Sequence, residues 1–237
     1  MFESADFIAD FAHHDATAGR YVLGPPLKTV SENTDPRTSR NGTFELTYWR
    51  FGLRVALAWL TRLGLPVNQK WTDVLENLSC AATQEGKYLL QEDMTDTFTK
   101  WNWEHPAVTG ALGALPGDEI DPGIMKTTVE HIMSVWQWDR VWGWDFPMVA
   151  MCAARSGRPD LAIDAFFLTS IKNNYNPGGH NYQRPSLPLY LPGNGGLLAA
   201  IAMMAAGWEH APKPTRDCPG FPEIGWKVRH EGLKPIF

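Results

Sequence analysis

Apolar residues recur at helical spacing through most of the chain, and the longest such run starts at Phe44. Leu46, Trp49, Leu53, Leu57 and Leu60 fall on one face at intervals of three, four or seven, and Phe51, Val55 and Trp59 form a second stripe beside it. Arg50, Arg54 and Arg62, with Thr47 and Thr61, give a polar edge. A helix apolar over most of its circumference packs on more than one side. The pattern predicts a helix over 44–63, opened by Asn41-Gly42-Thr43 and stopped at Leu63-Gly64-Leu65-Pro66. Ahead of it, no apolar residue lies between Val30 and Phe44, and the stretch carries Glu32, Asn33 and Asp35-Pro36. Such a stretch is a solvated connection, the commoner case, or the rim of a polar site.

The same reading places helices over 2–14, 68–83, 106–115, 121–138, 142–156, 158–172 and 195–208. The first carries His13 and His14 on its surface, and the third is built of small residues. The last contains no charge and is expected to be fully buried. Long connections cover 86–103 and 173–194, the latter rich in Asn, Gly and Pro. Hardly any run alternates with period two. Paired helices with long loops on one side predict an all-α array over residues 1–208, followed by an irregular tail over 209–237 that wraps the surface.

Composition narrows the chemistry. A net charge of -5 and no basic stripe leave nucleic acid an unexpected partner. No stretch is apolar and long enough to span a bilayer, so no membrane partner is expected. Trp is abundant at 11 residues, and its flat apolar face with one N–H donor suits stacking on sugar rings as well as filling cores. Cys80, Cys152 and Cys218 are widely spaced and form no metal-ligand pattern; Cys80 and Cys152 sit in apolar helical contexts and are expected to be buried thiols. No phosphate-binding glycine loop or activated serine pattern stands out, so no cofactor is expected.

Several short motifs stand in order. Phe7-Ile8-Ala9-Asp10-Phe11, Tyr21-Val22-Leu23 and Ser31-Glu32-Asn33 come first; Gln84-Glu85-Gly86-Lys87 through Glu92 follows. Then come Glu104-His105 through Leu115-Pro116-Gly117, Gly143-Trp144 through Gly157-Arg158, and Gly193-Asn194-Gly195-Gly196. Together, over about residues 7–206, they resemble glycoside hydrolase family 95, which includes α-L-fucosidases and α-L-galactosidases built on an (α/α)6 toroid. Related toroidal families such as the family 65 phosphorylases share part of the pattern. The resemblance implies a partial (α/α)6 toroid with the loops at 29–43, 91–105, 139–145 and 173–194 on one face. It implies acid/base hydrolysis of terminal sugars on an oligosaccharide or glycan, with inversion suspected, in a periplasmic or secreted setting. It covers only the later helices of the family's catalytic domain. The N-terminal part of that domain, and the β-sandwich before it, are therefore expected as missing partners of this chain. The alternative is an inactive or non-catalytic helical protein that binds glycans.

By resemblance Glu32 occupies the position of the family's general acid. The family's base is the Asp of its last motif, and this chain has Pro192 there. Asp145, at a helix start among Trp136, Trp138, Trp142 and Trp144, is the candidate base, and a plain helix cap is its other reading. Glu104 is the second candidate. Asn33, Trp103, Glu104, His105, Trp142, Trp144, His180 and Asn194 are the expected substrate contacts. For the two histidines and Asn194 the structural alternatives are a hydrogen-bonded core residue, a loop residue and an ordinary cap.

Overall fold

A computed structural model describes residues 1–209, 211 and 217–236. The chain is mostly α-helical. In order it runs α1 (Phe2–Phe11), the hairpin β1–β2 (His13–Asp15, Arg20–Val22), α2 (Thr43–Arg62), α3 (Gln69–Asn77) and the hairpin β3–β4 (Thr83–Gln84, Lys87–Tyr88). A 3₁₀ helix (Ala107–Leu112), α4 (Pro122–Val135), α5 (Asp145–Arg155) and α6 (Pro159–Phe167) follow. A second 3₁₀ turn (Ile171–Asn173), the hairpin β5–β6 (Asn174–Tyr175, Asn181–Tyr182) and α7 (Leu191–Ala206) complete it.

Two apolar cores organise these elements. The smaller joins α1, α2 and α3 through Ile8, Leu46, Leu53, Leu60, Trp71 and Val74. The larger surrounds α5, in which every residue from Asp145 to Ala154 is buried. The 3₁₀ helix approaches α5 closely through its glycines: a methyl group on Gly110 would lie 3.1 Å from Met148 Sδ, and one on Gly113, just past the helix end, 2.9 Å from the Met148 carbonyl and 3.0 Å from the Cys152 nitrogen.

Helix ends follow local chemistry. At the end of α2, Gly64 takes a left-handed conformation, with Leu65 N–H donating to Leu60 O at 2.9 Å and Gly64 N–H to Thr61 O at 3.1 Å. This 6→1 and 5→2 pair satisfies carbonyls that the helix leaves open. The same pattern at Gly157 ends α5, where Arg158 N–H donates to Ala153 O at 2.8 Å and Pro159 starts α6 at once. Asn68 caps α3 through the amides of Lys70 and Trp71, and Asp121 caps α4 through that of Ile124.

Several expectations need correction. The helix expected to reach residue 83 stops at Asn77. Beyond it, Leu78 and Ser79 run extended because their carbonyls accept from buried Arg50 at 2.7 and 2.9 Å. An arginine assigned to a polar edge is thus inside, held by backbone oxygens. His13 and His14 belong to a strand. Cys80 is exposed, whereas Cys152 is buried and its thiol is pushed up to about 12 by burial. The uncharged helix α7 is not fully buried: Leu198 is 70% and Leu191 64% exposed. In the tail, Cys218 and Phe221 join the larger core rather than lying on the surface; the rest of that stretch at 212–216 lies outside the described residues.

Residues 29–43 are only in part a solvated connection: Glu32, Asn33, Asp35, Arg37 and Thr38 are exposed. Thr29, Ser31, Thr34, Ser39 and Asn41 are all buried. Thr43 N–H donates to Leu90 O at 3.0 Å, and Asn41 accepts from Leu23 N–H at 2.8 Å while its amide donates to Glu92. Glu45, in the first turn of α2, reaches back so that Oε1 accepts from Val30 N–H at 2.7 Å. Its carboxyl is buried and pushed up by that burial, which the Val30 bond partly offsets. The other oxygen lies against Gly42, where a Cβ would meet it at 2.0 Å. Gly42→Ala is therefore expected to displace Glu45 and free Val30, costing ~1–3 kcal/mol as overpacking does. Urea unfolding of the variant measures it, and an unchanged midpoint would refute this account of the loop.

Candidate functional site

Buried loop 29–34 presents Glu32 and Asn33 outward. Its turn is closed by Glu32 N–H to Thr29 O at 3.1 Å and Asn33 N–H to Ser31 O at 2.7 Å, and Thr29 and Thr34 join hydroxyls at 2.9 Å. Glu32 has φ +60°, a left-handed conformation uncommon outside glycine. Such strain is retained where surrounding structure over-determines it, often at functional positions. Asn33 Nδ2 donates to Glu104 Oε2 at 2.6 Å, which couples this loop to a segment 71 residues on.

Glu104 is 3% exposed. Its other oxygen accepts from His105 N–H at 3.1 Å, and its backbone carbonyl accepts from Trp136 Nε1 at 2.7 Å. Burial pushes the Glu104 carboxyl above its usual range, against the lowering influence of the Asn33 and His105 bonds.

His105 Nδ1 lies 3.0 and 2.8 Å from the two oxygens of Asp145. Asp145 is wholly buried, and Trp142 N–H also donates to its Oδ2 at 2.8 Å. Burial pushes the Asp145 carboxyl up, opposed by His105 and the Trp142 amide. For His105, burial works to lower the pKa, but the hydrogen bond and charge of Asp145, then Glu104 and Glu32, outweigh it and the net shift is upward. The geometry places the hydrogen between His105 and Asp145. A carboxylate already accepting from a backbone amide is an acceptor for the ring as well, so Nδ1 carries the hydrogen. In the neutral ring this leaves Nε2 with its lone pair.

Aromatic rings surround the pair. His105 meets Trp144 edge-on at 5.3 Å and Trp142 at 6.4 Å, and Trp142 in turn packs on Tyr190 at 5.3 Å with Arg184 over its face at 5.6 Å. The Tyr190 hydroxyl is pushed up to about 12 by burial and by the charges of Asp145 and Glu32, so it stays a neutral donor at ordinary pH. Glu32 therefore lies close enough for its charge to act on both His105 and Tyr190.

Of the residues singled out in the sequence, Asn33, Glu104, His105, Asp145, Trp142 and Trp144 meet in one cluster, with Glu32 beside it. Asp145 is the first residue of α5, with Trp144 at the cap position. It is more than a cap, because its oxygens face His105 and the Trp142 amide. The other three lie apart. Trp103 stacks on Trp101 at 6.1 Å and under Arg140 at 4.3 Å. His180 shapes the β5–β6 turn, its N–H donating to Asn176 Oδ1 at 3.1 Å. Asn194 accepts from Asn181 N–H at 2.9 Å and donates to Gly179 O at 2.7 Å, clamping the hairpin to α7.

Tyr190, Gln183 and Asn181 were not singled out. Gln183 accepts from Gly143 N–H at 3.0 Å. Asn181 is wholly buried, donating to the carbonyls of Lys172 and Asn174 at 3.0 and 3.2 Å. Its side chain fills the space above two glycines: a Cβ on Gly143 or Gly193 would lie 1.8 or 2.3 Å from its Oδ1. Only the polar, aromatic composition of 174–194 hinted at such roles. Among the described residues, no group of His, Cys, Asp and Glu is arranged to hold a metal ion, and no helix is long and apolar enough to cross a membrane. No known family model matches the chain, and no curated protein sequence matches it either.

Proposed function

We infer that the chain is the later part of an (α/α)6-type glycoside hydrolase domain acting on terminal sugars of glycans. The observation that carries this reading is the junction at Asn33–Glu104 and His105–Asp145, at 2.6 and 2.8 Å. It joins three segments that the resemblance names separately, and it gathers carboxyl groups and indole rings at one place. The tight α5–α6 hairpin supports the toroidal arrangement. The N-terminal helices of such a toroid are the partner that would complete it.

Hydrolysis of a glycosidic bond needs one carboxylic acid to protonate the leaving oxygen and a second carboxylate to activate water or attack. Glu32, exposed at the loop tip, is the proton donor in this reading. Glu104 takes the place first given to Asp145 as base. Its burial raises its basicity toward working pH, where a general base is most effective, while the Asn33 and His105 donors hold it in place. Asp145 acts through His105, fixing the ring so that Nε2 is free for a substrate hydroxyl. Trp142 and Trp144 border the sugar in this reading.

The test is sugar release from a panel of terminal-sugar glycans by the full-length natural protein, beside its Glu104→Gln variant. Loss of turnover by about 10²–10⁴ without loss of folding is expected for removal of a general base. Full turnover by Glu104→Gln would remove Glu104 from the mechanism, and no release from any glycan would refute the hydrolase reading.

A further inference from the structure

Beside His105 lies a cavity of about 200 Å³ whose walls are almost wholly apolar. Val30, Phe44, Ala107, Met148 and Met151 line it, and His105 is its one titratable lining residue. Ala114 and Pro192, which also line it, are exposed and mark where it meets solvent. Trp144 forms part of the wall, and its indole N–H is shielded from solvent with no acceptor among the described residues.

These walls do not match a sugar. A pyranose carries a hydroxyl on most of its carbons, and each buried hydroxyl needs a partner. His105 and the Trp144 N–H can serve one or two such groups. Water is poorly held for the same reason, since a buried water needs two to four polar partners. The space does match a small ring: an engineered apolar cavity of roughly 150 Å³ stays dry and binds benzene.

We propose that this cavity is a binding site for a single aromatic ring, of benzene to indole size, carried by the aglycone of an aryl glycoside. The ring lies against Phe44 and the two methionines, whose thioethers favour aromatic contacts. Its polar attachment points toward His105 and the neighbouring carboxyl groups. The assignment of the ring to a glycoside rests on the hydrolase reading above; the affinity for the ring itself does not.

Toluene is the probe, measured by calorimetry and by the shift in melting temperature, with a methyl pyranoside as control. Toluene is expected to bind and to raise the melting temperature, and the methyl pyranoside not to enter the cavity. Ala114 is exposed at the mouth, so a graded series there is tolerated by the fold. Ala114→Ser keeps the room and should bind as the parent does. Ala114→Val should weaken binding, and Ala114→Leu should weaken it by about tenfold or more. Equal toluene affinity across the series, or none in the parent, overturns the proposal. The two readings fail separately: toluene binding without hydrolysis of any glycoside leaves the ring site standing and removes the hydrolase. Hydrolysis without toluene binding does the reverse.

Discussion

Replacing Glu32 by Gln is expected to lower turnover of natural glycans by about 10²–10⁴, the usual worth of a general acid. The amide keeps the shape of the side chain and removes the proton. Backbone geometry should persist, because the left-handed turn at Glu32 is held by the Thr29 and Ser31 carbonyls and by buried neighbours rather than by the carboxyl group. The discriminating comparison is with a substrate whose leaving group is already a stable anion. Such a substrate needs little protonation and should lose much less. If both substrates fall equally, Glu32 binds or positions and does not donate the proton. The loss in Glu104→Gln should be similar for both substrates, since the base acts on the attacking water and not on the leaving oxygen.

Replacing Asp145 carries the largest expected cost in stability. Asp145→Ala leaves His105 buried without its acceptor and Trp142 N–H unpaired, and breaking a buried pair costs about 3–5 kcal/mol. The conservative Asp145→Asn keeps an oxygen for one donor and exposes a pH signature. His105 has a folded pKa raised above 6.5, so its contribution to stability is fully present below the unfolded value and is lost as pH rises through the folded one. Asp145, also raised, is protonated at the acid end, and the attraction fades there. The stability gap between parent and Asp145→Asn should be widest between those two titrations and should narrow as pH rises past the His105 value. Melting temperatures across pH, with the His105 ring followed by NMR, measure this. A gap that is flat across pH would show that Asp145 acts as a neutral cap.

Much of the helical order was legible because it rests on local rules. Helix α2 follows from its stripes, and its end from a glycine that can turn left-handed. The α5–α6 boundary is written in Ser156-Gly157-Arg158-Pro159 for the same reason. What failed was burial inferred from polarity. The 29–43 loop is polar, yet its Thr29, Ser31, Thr34, Ser39 and Asn41 are buried, with Asn41 and Thr43 finding partners far along the chain. Helix α7 lacks charge and is half open, while the helix that is buried all round begins with an aspartate paired to a histidine. Composition cannot separate a polar group with a partner from one in water. The cluster Glu104, His105 and Asp145 was reached through the resemblance and through unusual local residues. Gln183, Asn181 and Glu45 were not, because each acts on a backbone group 15 to 40 residues away or sits above a glycine.

The wedge formed by Asn181 has a consequence for motion. Gly143 precedes Asp145 by two residues, and Gly193 lies in the first turn of α7, so one buried amide touches both the wall of the site and the start of its neighbouring helix. Withdrawing it would break two carbonyl bonds and open a void between the glycines. The hairpin and the Trp142–Asp145 turn are therefore expected to open together, as one cooperative unit. In the hydrolase reading, a substrate would meet a rim set before it arrives, and the orientation of His105 would inherit the rigidity of a loop to which it is not attached.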